Sequence, residues 1–290
     1  MNILKTYKIY IGGQFPRTES GRYYIVKDSM GNSIANVCQS SKKDIRNAVQ
    51  AARKAFGNWS ERSAYNRGQI MYRIAEMLEG RKSQFVEELV SLGQTTEAAL
   101  NEVEVSIDRI VYYAGWCDKF QQVLSSVNPV NSAHFNFSVP EPMGVIGIVA
   151  DQGTGLIGLV SQLMPVLAGG NTALIIASEN SPLSAITFAE VLETSDVPAG
   201  VVNILTGSPD EMLPTLAEHM DVNGLFLTNM DLESLKQTQI AAVDNLKRIV
   251  ELQMDWNLES AQGISFISKF QEIKTTWHPI EHIGGATSSY

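Results

Sequence analysis

Residues Glu141 to Ser181, EPMGVIGIVADQGTGLIGLVSQLMPVLAGGNTALIIASENS, leave the chain few choices of fold. Two apolar runs, Val145 to Ala150 and Thr172 to Ile176, read as buried strands. Between them lie a glycine-rich turn and a helix near Leu156 to Leu167 that stops at Gly169 and Gly170. This order opens a nucleotide-binding type of α/β domain. Gly153, Gly155 and Gly158 spell G-x-G-x-x-G directly after the first strand, where a pyrophosphate could rest on a helix N-terminus.

Downstream, strands and helices keep alternating. Ser181 and Pro182 start a helix to Glu193, Val201 to Leu205 is a strand, and Ser208-Pro209 restarts a helix to His219. Strand Gly224 to Leu227, a helix from about Leu232 to Val243 and strand Lys247 to Leu252 complete a parallel, doubly wound sheet. Upstream, Lys8 to Phe15 reads as a short strand, with Tyr23 to Val26 as a hairpin partner. The capping box Ser41/Asp44 opens the first of several amphipathic helices, the last of which carries Leu100, Val103, Ile107, Ile110, Val111 and Ala114 on one stripe. Glu102 and Glu104 read as its solvated face. The alternating HFNFSV of His134 to Val139 fits a half-exposed antiparallel strand. After Leu252 come a polar stretch, the apolar ISFI, an alternating segment Glu272 to Trp277, and a small-residue tail expected to be disordered.

A net charge of −9 over 290 residues, with no basic stripe, excludes a nucleic-acid role, and no apolar run reaches membrane-spanning length. No secretion signal is read at the N-terminus, and two cysteines without CxxC spacing suit a reducing compartment, so a cytoplasmic location is expected. Cys38 and Cys117 read as structural. His278 and His282 are four apart but Pro279 lies between them and no acidic motif accompanies them, so no metal is expected.

Several segments in this order resemble the aldehyde dehydrogenase superfamily: YYAGWCDK (Tyr112 to Lys119), EPMGVIG, PVLAGGNTALI, SPLSA, PAGVVNILTG and HMDVNGLFLT. The resemblance implies an NAD(P)-dependent oxidation with a cysteine nucleophile, a glutamate base and an oxyanion-binding asparagine. Gly153 stands where the family carries that asparagine. Ile176 replaces the ribose-binding lysine, although Glu179, three residues on, is kept. The family's F-T-G-S turn reads Leu227-Thr228-Asn229-Met230. The base has a counterpart in Glu251, but Gln253 and Met254 replace the glycines that follow it. No cysteine lies beyond Glu251, where the family places its nucleophile.

Ser268 to Ile280 resembles the family's C-terminal oligomerisation strand and arrives directly after the Glu251 region, which implies that the intervening catalytic domain is deleted. The expected fold is therefore an aldehyde-dehydrogenase-like Rossmann-type doubly wound sheet with N-terminal helices and a small antiparallel bridging element. Residues 1–124 and 141–257 would form the degenerate NAD(P)-binding-fold domain, 125–140 and 266–280 the bridge, and 281–290 the tail. The bridge places His134, Phe135, Phe137, Val139, Lys274, Thr276 and Trp277 at an oligomerisation surface. The implied function is a catalytically inactive assembly or regulatory subunit, partnered by a full-length aldehyde dehydrogenase or by itself, with no cofactor expected. Two alternatives stand beside it. One is an oxidoreductase completed in trans, with Glu251 as its only catalytic vestige. The other is a nucleotide-binding regulatory module using Gly153, Gly155, Gly158 and Glu179.

Overall fold

The computed structural model describes residues 3–280. The chain opens with β1 (Lys5–Tyr7), β2 (Tyr23–Lys27) and β3 (Ser33–Cys38), which form a small sheet in the order β1-β3-β2. This corrects the reading of Lys8 to Phe15 as a strand paired with Tyr23 to Val26. Both β1 and β2 pair with β3, a strand the sequence reading missed because its single Asn and flanking Gly look like a loop. Tyr10 instead exchanges backbone hydrogen bonds with Ile204, and Gly12 and Gly13 take positive φ in the turn that follows.

Five helices follow: α1 (Lys42–Ser60), α2 (Ala64–Gly80), α3 (Lys82–Ser91), α4 (Thr96–Trp116) and α5 (Phe120–Leu124). At the start of α1 the Ser41 amide donates to the Asp44 carboxylate at 2.8 Å, so the first turn is capped as its sequence predicts. Next come β4 (Ser126–Asn128), β5 (His134–Pro142), β6 (Val145–Val149), α6 (Ile157–Ala168), β7 (Thr172–Ile176), α7 (Pro182–Glu193), β8 (Val202–Leu205), α8 (Pro209–Glu218), β9 (Gly224–Thr228), α9 (Leu232–Ala241) and β10 (Arg248–Leu252). The chain then forms α10 (Ile264–Ser268), where the ISFI run lies, and β11 (Gln271–Pro279).

The central sheet is parallel throughout, in the order β10-β9-β6-β7-β8. Its inner strands are buried on both faces, which is why they read as continuous apolar runs. Val145, Leu174, Leu205 and Leu225 pack with α1 and α8 on one face; Ile146, Ile175, Ile204 and Phe226 pack toward α6 and α7 on the other. From β6 the chain winds outward through β7 and β8, then returns to add β9 and β10 on the other side of β6. The winding therefore reverses between β6 and β9. In open α/β sheets such a switch point is where a crevice for ligands forms at the carboxyl ends of the strands.

A single cation holds together the route from β10 to β11. Arg109, on α4 and fully buried, donates to Ser161 Oγ on α6 at 2.7 Å and to the backbone oxygens of Trp256, Leu258 and Ala261 at 3.2, 3.3 and 2.8 Å. Of these loop carbonyls, those of Trp256 and Ala261 have no other donor, while Leu258 O also accepts from the Ala261 amide at 3.0 Å. The same loop delivers Trp256, Phe266 and Phe270 into an aromatic cluster with Phe226, with ring centroids 5.1–6.2 Å apart. Segment 253–270 is thus a packed cover over α6 and β9.

Two buried cations set measurable features of stability. Arg109→Met leaves the Trp256 and Ala261 carbonyls without a donor and is expected to lower unfolding free energy by about 3–5 kcal/mol in urea titration. Lys247, at the entry to β10, is buried with its ammonium on the carbonyls of His219 and Val222, and desolvation pushes its pKa down from 10.5 to about 8. Between those two pH values the unfolded chain keeps a proton that the folded chain has released. Stability is therefore expected to gain from this residue as pH rises from about 8 to 10.5, and Lys247→Met should remove that gain from the pH profile of the melting temperature.

Candidate functional site

The glycine-rich turn connects β6 to α6, a helix buried on every side. A buried helix N-terminus needs acceptors for amides that no water can reach. Here one carboxylate oxygen serves three of them. Glu102 Oε1, from α4, accepts from the amides of Gly155, Leu156 and Ile157 at 2.8, 2.6 and 3.0 Å, and its Oε2 accepts from Gln94 Nε2 at 2.7 Å. Glu102 is 6 % exposed, which corrects its reading as part of a solvated helix face.

The seat where a phosphate would lie is therefore taken by the chain's own anion. The glycines have packing reasons of their own: a Cβ at Gly155 would collide with Leu89, and one at Gly158 with Thr154 and Asp151. Gly153 lies beside the Asp151 carboxylate and makes no contact that requires glycine. Glu179 is exposed, its backbone amide bound to Gln152 Oε1 at 2.9 Å, so the structure does not bring it together with the α6 terminus as a ribose ligand. Ile176 is fully buried in the core on the α1 side of the sheet.

The switch point itself is laced shut. Asp151, just past β6, is buried, and its Oδ1 accepts from Asn229 Nδ2, just past β9, at 3.0 Å. Asn229 has φ of 52°, a left-handed conformation that asparagine tolerates better than most residues. In that posture Nδ2 also donates to Met254 O at 3.1 Å while Oδ1 accepts from Met254 N at 2.9 Å. Beneath them the fully buried Gln162 of α6 accepts from Asp151 N and donates to Val149 O and Phe226 O, joining the ends of β6 and β9. The crevice is bridged by side chains from three of its walls.

Glu251 sits half-exposed on β10 at the sheet edge, its carboxylate accepting from Gln253 Nε2 at 2.6 Å. Cys117 is buried with its Sγ 3.5 Å from Met71 Sδ, and burial pushes its thiol up to about 12. Cys38 is buried in the core below α1. Among the described residues no cluster of His, Cys, Asp and Glu could hold a metal, and His282 lies outside them.

A second region collects the residues read as a bridge. β4, β5 and β11 form an antiparallel sheet in the order β11-β5-β4, apart from the central one. The register pairs Phe137 with Thr276, Val139 with Lys274, and Asn136 with Trp277. Residues directly opposite share a face. Phe135, Phe137 and Val139 thus lie with Thr276 and Lys274 on one side, while His134 and Trp277 lie on the other, their rings edge to face at 5.8 Å. Phe135, Ile273 and Trp277 are exposed, and Lys274 reaches back to Glu141 at 2.9 Å.

Sequence reasoning missed Arg109, Gln162 and Trp256, and it named Glu102 and Asn229 without their contacts, the first as a solvated face and the second as a replaced turn glycine. The spacing of Glu102 and Arg109 along α4, with Ser106 between them, was the available signal, since i, i+4, i+7 is a single face toward α6.

The sequence matches the family model described as the aldehyde dehydrogenase family over residues 15–250. It is 34% identical over 252 residues to human mitochondrial 10-formyltetrahydrofolate dehydrogenase, covering 84% of this chain and 27% of that protein. It is 30% identical over 249 residues to DhaS of Bacillus subtilis (strain 168), covering 84% of this chain and 50% of DhaS. Among solved structures, HpcC from Thermus thermophilus superposes with a TM-score of 0.81 at 27% identity, over 86% of this chain and 48% of that one. The NAD+ complex of an aldehyde dehydrogenase from Bacillus cereus superposes with a TM-score of 0.80 at 25% identity, over 85% and 50%. This chain thus spans about half of DhaS and of those structures, and about a quarter of the human relative.

The Glu102 contact makes a specific prediction. Glu102→Ala strands three buried amides and should lower stability by about 3 kcal/mol, whereas Glu102→Gln keeps an acceptor and should cost about 1 kcal/mol. Added formate should raise the melting temperature of the alanine variant and leave the wild type unmoved. An equal response in both proteins would show that the seat is not the site of the effect.

Proposed function

Starting from the fact that this chain belongs to the aldehyde dehydrogenase family, we propose that it is a catalytically inactive member acting as an assembly or regulatory subunit. The observation that carries the loss of catalysis is the closed crevice. Glu102 fills the anion seat of α6, and Asp151, Asn229 and Met254 join the ends of β6, β9 and β10, where the fold would admit a dinucleotide. The residue changes agree with it. Gly153 offers no side-chain donor for an oxyanion, Ile176 offers no charge to a ribose, and no cysteine follows Glu251.

Segment 253–270 stands, in this proposal, where the family's catalytic domain has been deleted. Arg109 and Trp256 make the short connection stable, and β11 reaches β5 without that domain. The assembly role rests on the antiparallel sheet, whose His134, Phe135, Phe137, Val139, Lys274, Thr276 and Trp277 border faces or edges left open among the described residues. A strand edge of this kind adds to another sheet by main-chain hydrogen bonds. A full-length aldehyde dehydrogenase from the same cell is the partner proposed to supply that sheet, in a soluble complex; among the described residues no helix is long and apolar enough to cross a membrane.

Purification from the native cell is expected to bring a full-length relative with the chain. The chain alone should oxidise no aldehyde with NAD or NADP and should show no thermal shift with either, where a ligand at a hundredfold excess over its Kd would stabilise by about 2.7 kcal/mol. Cofactor-dependent turnover, with a rate of the mixed complex that falls on Glu251→Gln, would establish an enzyme completed in trans and overturn the proposal.

A further inference from the structure

The outer edge of β11 carries more information than its exposure. β11 pairs with β5 on one side and, among the described residues, with no strand on the other. Its polarity of pairing is fixed by one bond: the Ile280 amide donates to Ala133 O at 3.0 Å. Backbone groups in an antiparallel ladder alternate in direction. Even-numbered residues of β11 therefore bond toward β5, and Ile273, Thr275 and Trp277 direct their N–H and C=O groups outward.

We infer that this edge is closed by a second copy of the same chain, β11 pairing antiparallel with β11 about a two-fold axis through Thr275. The inference rests on the reading of the antiparallel sheet as the assembly element and names the occupant of its edge in the isolated chain, which a full-length partner would displace. Three properties of the sequence favour that register. Thr275 is the midpoint of Gln271–Pro279, so this centre brings Ile273, Thr275 and Trp277 into complete pairs and leaves Pro279 facing only Gln271 at the two ends, where the Gln271 carbonyl already accepts from Arg248 Nη1 at 2.8 Å. It opposes Ile273 with Trp277 of the second copy on one face, twice, covering the two large apolar side chains that are 62 % and 57 % exposed on β11. On the other face it opposes Glu272 with His278 of the second copy, and Lys274 with Thr276, so like charges are kept apart.

The neighbouring registers that keep outward groups opposite one another are poorer. A centre at Lys274 sets Lys274 against Lys274. A centre at Thr276 sets Ile273 against Pro279, which has no N–H to give. A centre at Ile273 leaves Trp277 outside the pairing. Self-complementarity of this kind is what an isologous two-fold interface requires. It also shields an edge that would otherwise promote aggregation until another sheet competes for it.

Light scattering on the isolated full chain is expected to give twice the 31.8 kDa monomer mass. Thr275→Cys should cross-link two copies under mild oxidation, because facing residues place their Cα atoms within disulfide reach, whereas Thr276→Cys, displaced from its own copy, should not. Thr275→Pro removes an outward N–H and the hydroxyl contact to Ser138 Oγ but no backbone bond of the β5 ladder, so it should yield a folded monomer, as should Ile273→Lys. A monomeric wild type, a dimer that survives both Thr275→Pro and Ile273→Lys, or cross-linking through Thr276→Cys in place of Thr275→Cys would each overturn the inference. Capture of a full-length aldehyde dehydrogenase by immobilised wild-type chain separates the two readings. A monomer that captures it keeps the assembly proposal and ends self-pairing, while a Thr275-linked dimer that captures none does the reverse.

Discussion

The structure depends on one buried contact, the Glu102 carboxylate on the first amides of α6. That helix is enclosed on all sides, so its N-terminal N–H groups and their partial positive charge must find an anion from within the protein. Glu102 supplies it from α4, and the same face of α4 carries Ser106 and Arg109, the last of which reaches Ser161 farther along α6. Two charges about two turns apart thereby fix α4 against α6. Arg109 extends the effect by gathering the carbonyls of the loop that leads to β11.

That arrangement bears directly on function. In an open α/β sheet, the helix N-terminus and the crevice at the switch point are the places a dinucleotide would use. Here the first holds Glu102 and the second is spanned by Asp151, Asn229 and Met254, with Gln162 beneath. Polar groups that could have met a ligand meet one another. The opposite holds at the antiparallel sheet, where Phe135, Ile273 and Trp277 remain exposed and a strand edge has no neighbour among the described residues. The Asp151, Asn229 and Gln162 side chains are satisfied within the crevice, whereas the outward backbone groups of β11 have no strand partner among the described residues.

Most of the parallel sheet was legible because fully buried strands must be apolar along their whole length, as Val145 to Val149 and Thr172 to Ile176 are, and helices must be punctuated by residues such as Ser181-Pro182 and Gly169-Gly170. β3 was not, since SIANVC mixes polar and apolar residues and its pairing partners lie on both sides of it in the sheet. The glycine fingerprint has a second physical account. Gly155 and Gly158 answer to close packing by Leu89, Thr154 and Asp151, and the same residue type serves a close side chain as readily as a close phosphate.

By itself the sequence determined the family, the order of the βα units and the absence of a cysteine beyond Glu251, because each is written in local pattern and spacing. Only the tertiary structure decided what became of the site. Whether Glu102 faces water or a helix terminus, whether Asn229 merely replaces a glycine or locks a crevice, and which residues of β11 point their backbone outward depend on contacts between segments far apart in the chain. Glu102 meets Leu156, Asn229 meets Asp151, and Ile280 meets Ala133. No local periodicity encodes such meetings, since they are set by how buried polar groups across the whole fold find their partners.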